Sequence, residues 1–139
     1  MQPWIFYAIL SAVFAGFVAI FGKIGISQVD STLATTVRAI IMAVFLVTVS
    51  LAIGKFNLIK TIDNRALLFI ALSGIAGAIS WIFYFLALKN GPASAVSAID
   101  KTSIVFVFIF ALILLSEKFS WLKFAGILLV ALGAIFTAI

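Results

Sequence analysis

The chain contains no cysteine and no histidine among its 139 residues. Their absence excludes disulfides, thiolate chemistry, zinc sites built on these ligands, and acid–base catalysis by imidazole. Charged residues are scarce as well, at 9% of the chain, whereas soluble domains carry about 25%. The few acidic residues form no cluster in the sequence, and no activated nucleophile is recognisable. We therefore expect no enzyme, no cofactor and no metal site.

Apolar residues take the place of the missing charges, at 66% of the chain, and the mean hydropathy is +1.41. Five apolar runs are separated by short polar breaks, at residues 4–22, 33–53, 66–88, 93–115 and 121–139. Each run is close to the roughly 20 residues with which a helix crosses about 30 Å of hydrocarbon. None shows the alternation of a barrel strand, so helices must satisfy the backbone inside the bilayer. The sequence predicts an all-α integral membrane protein, a bundle of five transmembrane helices in a single domain over 1–139.

The polar breaks carry residues that favour the start of a helix. Pro3 precedes the first run, Asp30 the second, Asp63 the third, Pro92 the fourth and Ser120 the fifth. The first run lacks the basic leader and the small-x-small cleavage site of a secretory signal. We expect it to remain in the mature protein as the first span.

The nine basic residues indicate how the spans are oriented. If the N-terminus faces side A, five fall on that side: Lys55, Lys60, Arg65, Lys118 and Lys123. Side B receives Lys23 and Lys89, with Arg38 and Lys101 a turn or two inside their spans. The positive-inside rule places side A and the N-terminus in the cytoplasm, although a balance of five against four also permits dual insertion. The net charge of +5 comes from basic residues that we expect to set the topology and to contact anionic lipid headgroups, and we do not interpret it as a sign of nucleic-acid binding.

Asp100 and Lys101 stand out because they lie in the apolar fourth run, within GPASAVSAIDKTSIVFVFIF at residues 91–110. Asp100 is about seven residues into the span, or about 10 Å at 1.5 Å per residue. An unpaired charge there costs about 2.5–3.5 kcal/mol. Neighbouring residues point about 100° apart on a helix, so we predict Arg38, at a similar depth in span two, as the partner of Asp100. Lys101 is then expected to snorkel to the surface or to line a cavity.

Other side chains are predicted to lie at a depth in the membrane similar to that of Asp100. Trp81 and Tyr84 near it from span three, and Ser97 shares a polar face of span four with Ser94 and Lys101. The charged pair is either a structural clamp between spans two and four or part of a substrate or ion pathway. The two aromatic residues fit either a membrane-interface belt or a binding role. The candidate pathway residues are Arg38, Trp81, Tyr84, Ser97, Asp100 and Lys101.

Small residues repeat at helical spacing in the first and last runs. In span one the series is Ala8, Ala12, Ala15, Ala19 and Gly22, and in span five it is Gly126, Val130, Gly133 and Thr137. Such faces let another helix backbone come close. We favour packing within the chain for span one, and leave packing within the chain and a dimer seam equally open for span five. The candidate packing residues are Ala12, Gly16, Gly126 and Gly133.

Two stretches carry a resemblance to a known family: WIFYFLALKNGPASAVSAIDKTSIVFVFIFALILLSEKFSWLKFAGILLVALGAI at 81–135 and, more weakly, LSAVFAGFVAIFGKIGI at 10–26. Their order is an aromatic-rich span, a Gly-Pro-Ala loop, a long span ending in Ser-Glu-Lys, and a last span with spaced glycines. The chain resembles the EamA-like domain of the drug/metabolite transporter superfamily over essentially its whole length. Family members often have Trp before the glycine of span one, where this chain has Ala15 before Gly16.

Many members of that superfamily carry two such domains as inverted repeats, with the site between them. The resemblance thus implies that this chain is one half of an inverted-repeat transporter. Such a half would act as an antiparallel homodimer, or as a heterodimer with a related chain, in a bacterial or archaeal cytoplasmic membrane. An odd number of spans suits this arrangement, because the termini then lie on opposite faces.

The function that follows is secondary transport of a small organic solute, a drug or metabolite, by alternating access. The charges near side B mildly favour an anionic or zwitterionic solute. The first span lacks an acidic residue, so the proton-coupling glutamate of the related small multidrug resistance proteins has no counterpart there. A non-transporting membrane assembly subunit and a flippase of lipid-linked substrates are the alternatives.

Overall fold

In a computed structural model, residues 2–139 are described, and they form helices without any strand. The α-helices are α1 (Pro3–Gly25), α2 (Ser31–Ala52), α3 (Asn64–Asn90), α4 (Ala93–Asp100), α5 (Ser103–Leu114) and α6 (Trp121–Phe136), and a 3₁₀ helix covers Phe56–Thr61. The all-α prediction is confirmed. The 3₁₀ helix lies in a polar break of the sequence and was not predicted.

Four stretches are long and apolar enough to cross a membrane: α1, α2, α3 and Ala93–Leu114, which comprises α4 and α5. The fifth predicted span is occupied by α6, an apolar helix of 16 residues. At 1.5 Å per residue α6 is about 24 Å long, which is less than the thickness of the hydrocarbon core. The structure supports an integral membrane protein, but it does not confirm a fifth full-length span.

Helix ends follow the polar signals in the breaks. The carboxylates of Asp30 and Asp63 each accept a 2.9 Å hydrogen bond from the backbone N–H three residues later, at the starts of α2 and α3. These bonds satisfy donors that a helix start leaves without a partner. Gly54 ends α2 with φ of +69°, and the next N–H bonds back to the last turn of the helix at 2.9 Å. Glycine adopts this left-handed conformation without the steric penalty of a side chain.

The fourth predicted span is interrupted between α4 and α5. The backbone N–H groups of Lys101 and Thr102 donate to carbonyls three residues back, at 3.1 and 2.9 Å, instead of four. The hydroxyl of Thr102 donates to the carbonyl of Ile99 at 2.7 Å, and such back-bonding by threonine favours a local bend. The predicted fourth span corresponds to Ala93–Leu114, and a short 3₁₀-like turn divides it into α4 and α5.

The chain divides into two compact units. The first unit contains the chain up to Gly22 together with Asn90–Ile139, and the second contains Lys23–Lys89. In the first unit α6 packs against α4 and α5, with an aromatic cluster where α5 leads into α6. The cluster consists of Phe108, Phe119, Trp121 and Phe124, with ring centroids 5.1–6.2 Å apart. In the second unit the 3₁₀ helix lies against α2.

Few of the described residues are buried. They are the apolar Ala19, Ile26, Phe85, Leu88, Ala111 and Ala134 and the polar Ser31 and Thr35. Most large apolar side chains remain exposed, including those along α1, α2 and α3. A soluble protein rarely shows such continuous apolar surface, which is expected of helices that face lipid or another membrane protein.

Candidate functional site

Arg38 lies in the second unit, seven residues after the start of α2. Its guanidinium carbon is 3.7 Å from the centroid of the Trp81 ring and 5.3 Å from that of Phe85. Trp81 and Phe85 are four residues apart in α3 and therefore share one helix face. A guanidinium over an aromatic face gains cation–π attraction, which is strongest when both groups are shielded from water.

One nitrogen of this guanidinium has no acceptor. Nη1 of Arg38 is buried and makes no hydrogen bond within residues 2–139. Arginine carries five N–H donors and remains charged, so an unsatisfied buried nitrogen costs free energy that the aromatic rings offset only in part. Residues 2–139 provide no hydrogen-bond acceptor for this nitrogen.

The aromatic wall beside Arg38 extends along α3. Tyr84 is half-buried, and its ring lies edge-on to Phe85 with centroids 6.1 Å apart. Phe85 is only 2% exposed, and it was not among the residues predicted for the site. Its position four residues after Trp81 was the signal in the sequence that would have placed it on the same face.

Two lysines of the second unit bind backbone carbonyls. Nζ of Lys23 donates to the carbonyl of Leu88 at 2.5 Å and to that of Lys89 at 3.4 Å. Nζ of Lys89 donates to the carbonyl of Val29 at 2.9 Å. Lys23 therefore binds carbonyls at the C-terminal end of α3, where the helix leaves them without partners and where a cation is favoured. The sequence indicated a topological role for both lysines but not these contacts.

The first unit contains a cavity of about 500 Å³ between α1 and α4. From α1 it is lined by Val13, Gly16, Phe17, Ala19, Ile20 and Phe21, and from α4 by Ala93, Ser94 and Ser97. Its volume is within the range of small-molecule sites, and two serine side chains in an otherwise apolar wall are also typical of such sites. Ser97, predicted as a pathway residue, and Gly16, predicted as a packing residue, both line this cavity.

Asp100 and Lys101 pair with each other. Nζ of Lys101 is 3.1 Å from Oδ2 of Asp100, and the two side chains are 60% and 35% exposed. The sequence predicts Arg38 as the partner of Asp100, because neighbouring residues diverge on a helix, and that prediction is wrong. The helix stops at Asp100, so the 100° spacing of an unbroken helix does not apply to Lys101. Arg38, the partner that we predicted for Asp100, stacks on Trp81 instead.

Three of the four predicted packing residues lie on open surfaces, and the fourth, Gly16, lines the cavity. Ala12 is exposed on α1, and a Cβ added at Gly16, Gly126 or Gly133 would meet no atom within 4 Å. Gly126 and Gly133 of α6 therefore do not serve a close helix contact within the described chain. Their role in packing against another chain stays a prediction.

The structure thus brings the candidate residues together in three sets. Arg38 and Trp81 are in contact, with Tyr84 beside Phe85; Ser97 belongs to the cavity; Asp100 and Lys101 form an ion pair at the helix interruption. Within residues 2–139 no three acidic side chains converge in a way that could hold a metal ion. The donors and aromatic faces are suited to binding an organic molecule.

Comparison with known proteins gives a consistent result. The model of the EamA-like transporter family matches residues 2–139. A protein of Sinorhizobium sp. named "Uncharacterized transporter in cobO 3'region" is 40% identical over 138 residues, which cover 99% of this chain and 98% of that protein. No solved structure is significantly similar to the chain.

Proposed function

The chain belongs to the EamA-like transporter family, and from this premise we propose that it moves a small organic solute across the membrane by alternating access. The protein is a membrane transporter of the drug/metabolite type, and the family match extends over all the described residues. The observation that carries the proposal is the cavity of about 500 Å³ in the first unit, which has the size and the mixed lining of a solute site.

We propose that the transporter works as a dimer of inverted five-helix domains, either an antiparallel homodimer or a heterodimer with a related chain. The match to the relative from Sinorhizobium covers 98% of that protein, which supports a working unit assembled from more than one chain of this size. The exposed apolar faces and the open surface at Gly126 and Gly133 support an additional membrane partner. The balance of positive charges, five against four, supports insertion in both orientations.

Both charged regions serve the solute pathway in this proposal. Arg38, Trp81 and Tyr84 supply a cation and aromatic faces, while Ser97, Asp100 and Lys101 supply polar groups in the first half of the fourth span. The interruption after Asp100 supports such a role, because broken helices are a recurring feature of transporter sites. Loss of uptake in Asp100→Asn and Arg38→Gln variants is expected, and unchanged uptake in both would contradict the assignment.

The first test is orientation and stoichiometry in liposomes. The natural chain has no cysteine, so single cysteines at Gln2 and Ile139 report the sidedness of each terminus to an impermeant maleimide. Labelling of both positions from both sides, together with a crosslinked dimer, would support the antiparallel homodimer. A single orientation without a dimer would contradict it and point to a related partner chain.

Transport itself is tested in the same liposomes with a panel of radiolabelled organic anions, zwitterions and cations. Counterflow of at least one class, absent from protein-free liposomes, is the expected result. Lack of counterflow for every class, in liposomes that contain the dimer, would favour a non-transporting assembly subunit instead.

A further inference from the structure

The cationic side chains of the second unit differ in whether their N–H donors have hydrogen-bond acceptors. Lys23 and Lys89, near the ends of α1 and α3, both donate to backbone carbonyls at 2.5–2.9 Å. Lys23 and Lys89 therefore stabilise the fold through these hydrogen bonds. Arg38 lies over the rings of Trp81 and Phe85, and its buried Nη1 finds no acceptor among the described residues.

The chain has only four acidic side chains, and each is engaged elsewhere. Asp30 and Asp63 cap α2 and α3, Asp100 pairs with Lys101, and Glu117 lies 3.5 Å from Lys123. None of the four carboxylates pairs with Arg38 within residues 2–139. A ligand that carries an oxyanion would supply the missing acceptor.

The chemistry of that acceptor follows from the guanidinium. Its donors are coplanar and diverge as a fork, which matches two oxygens of a carboxylate or a phosphate. Trp81, with its ring centroid 3.7 Å from the guanidinium carbon, covers one side of the guanidinium, and the N–H groups remain the donors that can bind a ligand. The half-buried Tyr84 and the buried Phe85 lower the local polarity, which strengthens a charge-assisted hydrogen bond.

We propose that Arg38, backed by Trp81, binds the oxyanion group of the solute, so that the transported molecule is an organic carboxylate or phosphate. This inference rests on the proposed transport function and names the class of its substrate. Because Nη1 is shielded in this structure, the anion reaches it when the side chains around Arg38 separate. Movement of this kind is part of alternating access.

Trp81 provides the signal for the test. The chain has three tryptophans, and replacing Trp4 and Trp121 by phenylalanine leaves Trp81 as the reporter beside Arg38. The protein is reconstituted in phosphatidylcholine nanodiscs and titrated with benzoate, inorganic phosphate, benzyl alcohol and benzylamine. We expect a saturable change of Trp81 emission with at least one of the two anions and none with the neutral or the cationic compound.

Substitution of Arg38 identifies the binding group. Arg38→Gln should weaken anion binding roughly tenfold to a hundredfold, the range for loss of a charge-assisted bond pair. Arg38→Lys keeps the charge but not the fork and should give an intermediate value. Lys118→Gln removes one exposed cation elsewhere and should leave binding unchanged. Elution of each variant as a single species excludes misfolding. If Arg38→Gln fails to fold, the anion affinity of Arg38→Lys tests the proposal instead.

Three outcomes would overturn the proposal. They are wild-type anion binding in both Arg38 variants, equal binding of benzyl alcohol, and no saturable response to either anion. A fourth separates the sources of the oxyanion: if nanodiscs with phosphatidylglycerol change Trp81 emission and abolish the response to benzoate and phosphate, Arg38 binds a lipid headgroup and not a solute. Counterflow of neutral or cationic solutes that Arg38→Gln does not alter would refute this inference while leaving the transport function intact.

Discussion

The charged side chains in the two units of this protein differ in which groups stabilise them. In the first unit, Asp100 and Lys101 neutralise each other at 3.1 Å, and both side chains are substantially exposed. In the second unit, Arg38 has no carboxylate partner and lies against Trp81 and Phe85. A charge balanced by its neighbour in the sequence lowers the cost of membrane insertion without any ligand. Arg38 is half-buried, and its shielded Nη1 lacks an acceptor within residues 2–139, which makes it more informative about function.

The local backbone explains the difference. The helix ends at Asp100, which allows the next side chain to turn back towards the carboxylate. Arg38 lies inside the continuous helix α2, where its neighbours one turn away cannot provide a carboxylate. Its contacts therefore come from α3, and these are aromatic. Whether the helix is interrupted thus determines which groups a charged side chain can contact.

The largest expected effect tests the aromatic support of Arg38. Trp81→Leu removes the cation–π contact and should lower the free energy of unfolding by about 2 kcal/mol. Trp81→Phe keeps a ring face and should lose much less. Unfolding by sodium dodecyl sulfate, followed by circular dichroism, measures both. Trp4→Leu is the matched control, since Trp4 is 64% exposed, and an equal loss in Trp81→Leu and Trp4→Leu would contradict a special contact at Trp81.

A second prediction separates the structural cation from the binding cation within the second unit. Lys23→Met leaves the carbonyl of Leu88 without its 2.5 Å donor and should lower stability by about 1.5 kcal/mol. The same variant should bind benzoate or phosphate as the wild type does, whereas Arg38→Gln should weaken the binding of these anions. Denaturation and the Trp81 titration measure the two quantities. Weakened anion binding in Lys23→Met, at unchanged stability, would show that the two cations share one role.

Much of this fold was predictable because the bilayer leaves few choices for an apolar chain. The runs of apolar residues placed α1, α2 and α3 within a few residues of their ends, and Asp30 and Asp63 marked two helix starts correctly. The short last helix was not foreseen, since apolar residues continue beyond its end at Phe136 without remaining helical. The apolar composition of a segment predicts that it lies in the membrane, but it does not predict the residue at which the helix ends.

The candidate site was less predictable because it depends on contacts between distant residues. The sequence identified Arg38 and Trp81 as residues at a similar level, and the structure places them in contact. It suggested the wrong partner for Asp100, because a 3₁₀-like turn of two residues carries little signal in an apolar run. It also gave no indication that Ser97 and Gly16 would line one cavity.

The cavity of the first unit offers a third prediction. Ser97→Leu places a bulky apolar side chain in the space of about 500 Å³ and should lower solute counterflow roughly tenfold, the lower end of the effects seen when the fit of a pocket changes. Ser97→Ala keeps the space but removes the hydroxyl, so a smaller loss is expected. Undiminished counterflow in Ser97→Leu would place the solute outside this cavity, and the region around Arg38 would then be the better candidate.

The smallest expected effect concerns Asp100 and Lys101 themselves. Exposed ion pairs contribute about 0–1 kcal/mol, so Asp100→Asn and Lys101→Gln should each lower the free energy of unfolding by at most about 1 kcal/mol. The double variant removes both charges and should recover most of that loss, since neither charge is left alone in the span. A denaturation cycle over the four proteins measures the coupling. A coupling well above 1 kcal/mol would mean that the pair is far more shielded in the membrane than its 60% and 35% exposure indicates. The contrast with Arg38 would then disappear.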